Sequence, residues 1–188
     1  VVKLLQAALV DLGDTLVHLD RPWDEVFRDN LTAMYSFLKQ HGLDVDFPAF
    51  AKKFIREFEA ASAAASFYKI EIPMNEILSR TLHKVKYQDL DKGLVQNAIE
   101  QYYNPELESW KLFPDSLTAL DGFKAQGLTM GVVSNARSDW MVHAIIDKCG
   151  LKKYFKGVIS SASLRVRKPR MEIFLHALRT IEAKRSET

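Results

Sequence analysis

The chain has 188 residues, 47% of them apolar and 27% charged, with a formal net charge of +2. That balance is ordinary for a globular protein and lacks the basic surplus that nucleic acid or an acidic membrane surface would call for. The one cysteine, Cys149, cannot close an internal disulfide, no stretch reaches membrane-spanning length, and the N-terminus lacks the flanks of a signal peptide, so a cytoplasmic location is expected.

A chain of this length builds one sizeable core, or one core carrying an insertion. Leu4–Val10 is a short apolar run without strict alternation, the pattern of a parallel strand buried on both faces. Asp11-Leu12-Gly13-Asp14-Thr15 follows it directly. A carboxylate where a strand ends, then a tight turn, is a geometry for nucleophilic attack: the strand fixes the carboxylate and the turn offers backbone N–H groups to its target. The bland alternative is an ordinary turn, since Asp and Gly are common turn formers. From about His18 to about Trp110 the pattern is helical. Trp23 to Leu38 forms one amphipathic stripe closed by Gly42; Phe47–Tyr68 forms a second, with Phe50, Phe54 and Phe58 at fourfold spacing; Met74–Val85 and Leu94–Tyr103 form two more. Four such helices predict a small bundle inserted between two strands. It is expected over the Asp11 turn as a lid and a source of substrate contacts, with a separate unit of no catalytic part as the alternative. Tyr35, Phe67, Tyr68 and His83 within it could face either substrate or core, and core is the preferred reading.

Ser116–Gln126 carries Leu117, Leu120 and Phe123 at helical spacing and stops at Gly127. Thr129–Ser134 is a second buried strand, ending in the hydroxyl of Ser134 and the amide of Asn135, groups suited to holding an anionic oxygen. Helical patterning returns over Ser138–Cys149, a third strand over Gly157–Ser160, and a last helix over Met171–Ile181. Alternation of this kind means an open parallel α/β sheet. Before the last helix stands Arg165-Val166-Arg167-Lys168-Pro169. Lys168 is the interesting member, because a carboxylate that accepts a phosphoryl group needs positive charge nearby; Arg165, Arg167 and Arg170 read as a solvated basic turn.

In this order, Asp-x-x-x-Thr after strand one, a helical insert, a strand ending Ser134-Asn135, and Lys168-Pro169 before a helix resemble the haloacid dehalogenase-like hydrolase superfamily, in its branch with a helical cap after the first motif. Leu112-Phe113-Pro114-Asp115, and Ile173-Phe174 with Ala177-Leu178, are similar to that branch as well. The resemblance implies a Rossmann-like α/β core at residues 1–17 and 111–188 with a cap at 18–110. It implies that Asp11 is the nucleophile and forms an aspartyl intermediate, and that Asp11 and the Gly13 carbonyl ligate Mg²⁺. Thr15 would brace the turn and stand with Ser134 and Asn135 among the substrate-binding residues. Ser134 and the Asn135 N–H would bind the transferring group, and Lys168 would neutralise charge on nucleophile and substrate. The expected activity is a Mg²⁺-dependent phosphatase acting on a small phosphorylated metabolite.

Two departures qualify this. Phosphatases of the family carry an Asp two residues after the nucleophile as general acid and base; here that position is Gly13, and Asp14 stands where relatives usually have Gly. General acid–base help is worth ~10²–10⁴-fold, so a phosphatase lacking it is slow unless its leaving group, as in an acyl phosphate, needs no proton. The alternative chemistry is a 2-haloacid dehalogenase, which also releases a group that needs no proton and would draw an Arg from the cap, Arg21 or Arg28 being the nearest. A catalytically impaired member with a binding or regulatory role is the third reading. Secondly, the family's fourth motif, a strand ending in Gly-Asp beside strand one, should begin about where this sequence ends. The core is therefore expected to be truncated, leaving strand one as an exposed apolar edge and a possible homodimer surface.

Overall fold

The computed structural model of the chain describes residues 5–87 and 91–188, apart from the Glu187 side chain. Its elements run β1 (Ala7–Val10), β2 (Val17–Leu19), α1 (Trp23–Gln40), α2 (Phe47–Tyr68), α3 (Met74–Lys84), α4 (Lys92–Ser109), β3 (Trp110–Leu112), α5 (Ser116–Ala125), β4 (Thr129–Ser134), α6 (Asp139–Lys148), β5 (Phe155–Ser160), α7 (Ser161–Leu164) and α8 (Met171–Thr180). The fold is α/β. The chain divides into two compact units: Val1–His18, Lys69–Glu71 and Trp110–Thr188 form the first, Leu19–Tyr68 and Ile72–Ser109 the second. The first three residues after α2 thus belong to the α/β unit although helices of the other unit flank them, an assignment no periodicity in the sequence signals.

In the first unit, β1, β4 and β5 form a parallel sheet in the order β1-β4-β5. Ala7 pairs with Thr129 and Val10 with Val132; Gly131 pairs with Gly157 and Ser134 with Ser160. The strands are parallel, so Asp11, Asn135 and Ser161 all follow the carboxyl edge. The predicted first strand shortens to Ala7–Val10, and Leu4 lies outside the described residues. The helix α8 covers one face of the sheet. Ile173 and Ala177 pack on Val133 and Ile159, while Leu178 and Ile181 pack on Ala7. Burial of each such isoleucine, leucine or valine side chain contributes about 1.5–3 kcal/mol. Close approach here requires glycine: a Cβ at Gly131 would lie 2.8 Å from Ile181 Cγ2, and one at Gly157 2.8 Å from Thr180 Cγ2. The Ser138 hydroxyl caps α6 by accepting from Met141 N–H at 3.2 Å.

Beside β1 lies an apolar groove of about 580 Å³, lined among others by Leu5, Ala7, Leu9, Phe123, Met171 and Leu175. Two short strands escaped the sequence reading: β2 and β3 pair as a ribbon where the chain leaves and re-enters this unit. Three residues are too few to show a period, and propensity is a weak guide at that length.

The second unit is helical. Val26, Leu31, Met34 and Leu38 of α1, Phe50 and Phe54 of α2, Ile77, Leu78 and Leu82 of α3, and Ala98, Ile99 and Tyr102 of α4 are buried. Phe27 meets Phe58 edge-on at 5.2 Å, and Phe54 lies 5.8 Å from Tyr102. Helix α4 runs past Pro105 to Ser109, six residues beyond the predicted end. Proline removes one i→i−4 bond, but the turn beyond it buries Glu106, which accepts from Asn30 Nδ2 of α1 at 2.9 Å. The core reading of three residues is corrected: Phe67 and Tyr68 are 78% and 62% exposed, and His83 is exposed on α3. Tyr35 is half-buried, donating to the Val45 carbonyl at 3.0 Å. Among the described residues no helix is long and apolar enough to cross a membrane.

Candidate active site

Asp11 follows β1 at the carboxyl edge of the sheet, its side chain 44% exposed. Two donors converge on Oδ1: Leu12 N–H at 2.8 Å and Lys168 Nζ at 2.7 Å. Oδ2 is left without a donor among the described residues. Lys168 reaches Asp11 from the loop before α8. Its ammonium also donates to the Val133 carbonyl at 2.8 Å, so it is pinned between β1 and β4 rather than solvated.

The turn after Asp11 is held by its own backbone. The buried Leu12 anchors it, and its carbonyl accepts from Leu16 N–H at 2.9 Å and Val17 N–H at 3.1 Å; Asp14 N–H donates to the Val17 carbonyl at 2.7 Å. The left-handed residue is Asp14, with φ 57°, not Gly13. Asp and Asn tolerate that region better than other L-residues, and glycine tolerates it freely. Asp14 is exposed. The bracing expected of Thr15 falls elsewhere. Thr15 is exposed, and its hydroxyl has no hydrogen bond among the described residues; Ser116 Oγ instead donates to the Leu16 carbonyl at 2.7 Å, and Phe113 N–H donates to it at 3.1 Å.

Ser134 ends β4, 7% exposed. The Asn135 side chain brackets the Lys168 backbone, accepting from Lys168 N–H at 2.8 Å and donating to the Lys168 carbonyl at 3.3 Å. The Lys168–Pro169 peptide is cis. Asp11, Ser134, Asn135 and Lys168, which are 157 residues apart at their extremes by numbering, thus share one edge of one sheet. Thr15 and Gly13 lie on the turn beside them.

The sequence model of one family, described as haloacid dehalogenase-like hydrolase, matches residues 5–188. The chain belongs to the haloacid dehalogenase-like hydrolase family. It is 39% identical over 89 residues to haloacid dehalogenase-like hydrolase domain-containing protein 3 of Danio rerio, a match over 47% of this chain and 35% of that protein. It is 23% identical over 188 residues to the glyceraldehyde 3-phosphate phosphatase of Methanocaldococcus jannaschii, covering 98% of this chain and 75% of the relative. The chain therefore spans about a third of the first of these relatives and three quarters of the second. In fold it is similar to the 2-haloacid dehalogenase of Pseudomonas syringae pv. Tomato, with a TM-score of 0.64, 21% identity, and coverage of 98% of this chain and 76% of that one.

In this haloacid dehalogenase-like core, position 13 has room for a side chain. A Cβ there would have Trp110 Cη2 at 3.5 Å as its nearest neighbour, an ordinary contact. Among the described residues no group of three or more His, Cys, Asp or Glu side chains gathers as a metal site. The Gly13 carbonyl, unused by the turn's hydrogen bonds, and one oxygen of the Asp11 carboxylate are the ligand atoms this turn offers. Such a sparse pair suits Mg²⁺, which keeps several waters and takes one or two carboxylates together with substrate phosphate oxygens.

A second cluster adjoins Lys168 and was not foreseen. Glu71 is 2% exposed, and its Oε1 accepts from Arg137 Nη1 at 3.4 Å while Oε2 accepts from Arg167 Nη1 and, at 2.6 Å, from Ser161 Oγ. Arg167 is therefore no solvated turn residue, whereas Arg170 pairs with Glu172 on the surface. An acidic residue between Ile70 and Ile72 is the signal that could have exposed this cluster.

Proposed function

We propose that the chain is a Mg²⁺-dependent phosphatase acting on a small phosphorylated metabolite through an aspartyl phosphate on Asp11. The observation that carries this reading is the Lys168–Asp11 contact at 2.7 Å, with Leu12 N–H on the same oxygen. Both donors stabilise the carboxylate and hold it in one rotamer, so Oδ2 is aimed before substrate arrives. In the reaction Oδ2 forms a bond to phosphorus and the leaving oxygen departs with its electron pair; water then attacks the same phosphorus and releases Asp11 and inorganic phosphate. Lys168 offsets charge on the transferring group, and Ser134 Oγ donates to one of its oxygens. The Asn135 amide side chain is committed to the Lys168 backbone, so contact with the group falls to the Asn135 N–H. Thr15 contributes from the exposed lip of the turn. Asp11 and the Gly13 carbonyl would hold Mg²⁺, which when bound supplies charge neutralisation for the phosphoryl group.

Gly13 transfers no proton, which favours substrates whose leaving group departs unprotonated, acyl phosphates among them. The same residue supports a second reading, a 2-haloacid dehalogenase, in which Asp11 attacks carbon and halide leaves. Arg21, a candidate halide partner in that reading, pairs with Asp29 at 2.6 Å and Glu25 at 3.7 Å. The helical unit is assigned the role of cap, the edge of β1, which among the described residues pairs with β4 alone, the role of a homodimer surface together with its apolar groove, and the cytoplasm the role of workplace; Cys149 as the one cysteine suits the last. Hydrolysis of acetyl phosphate, with and without EDTA, and of a 2-haloalkanoate tests the assignment. Metal-dependent phosphate release supports it. Halide release that survives EDTA, without phosphatase activity, replaces it by the dehalogenase; neither activity, with no stabilisation of melting by beryllium fluoride and Mg²⁺, replaces it by a binding role.

A further inference from the structure

Glu71 lies on Lys69–Glu71, the three-residue piece that joins the α/β unit from between α2 and α3. It is stitched there by backbone: Glu71 N–H donates to the Arg165 carbonyl and Arg167 N–H to the Lys69 carbonyl, each at 3.1 Å, with Ile70 and Val166 facing each other as an antiparallel bridge. We propose that Glu71 is a positioning residue for the Asp11 site, its buried carboxylate tying the loop after β4 to the loop before α8 and thereby fixing Lys168. The inference rests on the phosphatase reading above.

The connections can be followed atom by atom. Arg137, held by Oε1, stands two residues after Asn135; Arg167, held by Oε2, immediately precedes Lys168. Ser161, the first residue after β5, donates to Oε2 at 2.6 Å and accepts from Ala136 N–H at 2.9 Å. Glu71 is thus bonded on both sides of the Asn135–Lys168 bracket, which has a second closure in the amide of Asn135 itself. Opening the outer closure leaves the inner one to hold two loops alone. A carboxylate with no exposed side-chain surface between two guanidinium groups 12% and 25% exposed is an expensive arrangement in a protein interior. Apolar residues of similar volume pack as well or better, and the best-attested use of such a cluster is to specify one geometry. What this cluster specifies is the register between the Asn135 loop and the Lys168 loop, on which the 2.7 Å contact with Asp11 depends.

Lys168 acts on charge that develops during transfer, so loosening it affects turnover more than binding. A displacement of about 1 Å in a reacting constellation costs about 10²-fold. The expected result for Glu71→Gln, which keeps the shape and the Ser161 contact but not the charge, is therefore a fall in kcat of about 10²-fold with little change in KM. The probe is p-nitrophenyl phosphate, with melting temperature measured in parallel. Arg137→Gln severs the weaker arm and leaves Glu71 balanced by Arg167; it should lower kcat by a smaller factor, and it decides the matter where Glu71→Gln does not fold. Trapping of Asp11 by labelled acetyl phosphate in the unaltered chain separates the two levels of the account. If Asp11 is labelled and the folded variants turn over as fast as the parent, Glu71 is structural only and the inference falls alone. If Asp11 is never labelled, the phosphatase reading falls and the inference with it.

Discussion

Gly13→Asp is the substitution in which the site's missing proton donor can be supplied and its effect measured. The backbone at Gly13 lies outside the left-handed region, so a side chain brings no conformational penalty there. A Cβ meets Trp110 Cη2 at 3.5 Å and Cζ3 at 3.9 Å, ordinary van der Waals contacts that leave room for it without displacing the indole. A positioned general acid contributes ~10²–10⁴-fold; in barrier height this is about 2.7–5.4 kcal/mol. The lower end is the expectation, because the Trp110 ring restricts the rotamers open to the new side chain. The gain should depend on the leaving group. An alkyl phosphate, whose alkoxide needs a proton, should be hydrolysed about 10²-fold faster by the variant, and acetyl phosphate, whose carboxylate does not, less than about 3-fold faster. The assay is phosphate release from both substrates under saturating Mg²⁺, with Asp11 labelling to show that the nucleophile still works. Equal gains on both substrates, or none on the alkyl phosphate from a variant that labels normally, would show that a carboxyl at position 13 does not act as proton donor to the leaving group.

The fold makes further predictions that need no substrate. Gly131→Ala places a methyl 2.8 Å from Ile181 Cγ2 and 3.2 Å from Leu9 Cδ2, and should destabilise the protein by about 1–3 kcal/mol in denaturant unfolding. Gly122→Ala, inside α5 with nothing within 4 Å, should instead stabilise it by about 0.5–1 kcal/mol. The Lys156 ammonium, 2.7 Å from Glu182 and hydrogen-bonded to it, holds the Glu182 carboxyl below the usual range. A depressed folded pKa gives stability present above the unfolded carboxylate value and lost as pH falls through the folded one. Glu182→Gln should therefore lower the melting temperature slightly at neutral pH and not at all at a pH below the carboxylate range, where both states bind the proton.

Where the chain's physics is local, the sequence was legible. The run Thr129–Ser134 is apolar because β4 is covered on both faces, and it needed no partner to be recognised. The Phe47–Tyr68 helix matches the pattern end to end because Phe50, Phe54 and Phe58 mark one face. What depends on the assembled fold was not legible. The short strands β2 and β3 exist through each other. Phe67 and Tyr68 are exposed because α2 runs on past its buried stripe, which composition does not reveal. At the site, Asp11, Ser134, Asn135 and Lys168 could be named from motif order, but the role of the Asn135 amide as a brace could not. Glu71 was invisible for the same reason: its partners Arg137, Ser161 and Arg167 lie 66, 90 and 96 residues away.

In the proposed reaction Asp11 Oδ2 takes up the phosphoryl group while Lys168 and Leu12 hold Oδ1. The measurement that meets it most directly is acid quenching of the chain during turnover of phosphorus-labelled acetyl phosphate with Mg²⁺, followed by peptide mapping of the label. One hydroxylamine-labile label is expected on Asp11, absent from Asp11→Asn. Phosphate release with no label on Asp11, or an Asp11→Asn variant that retains turnover, would contradict it.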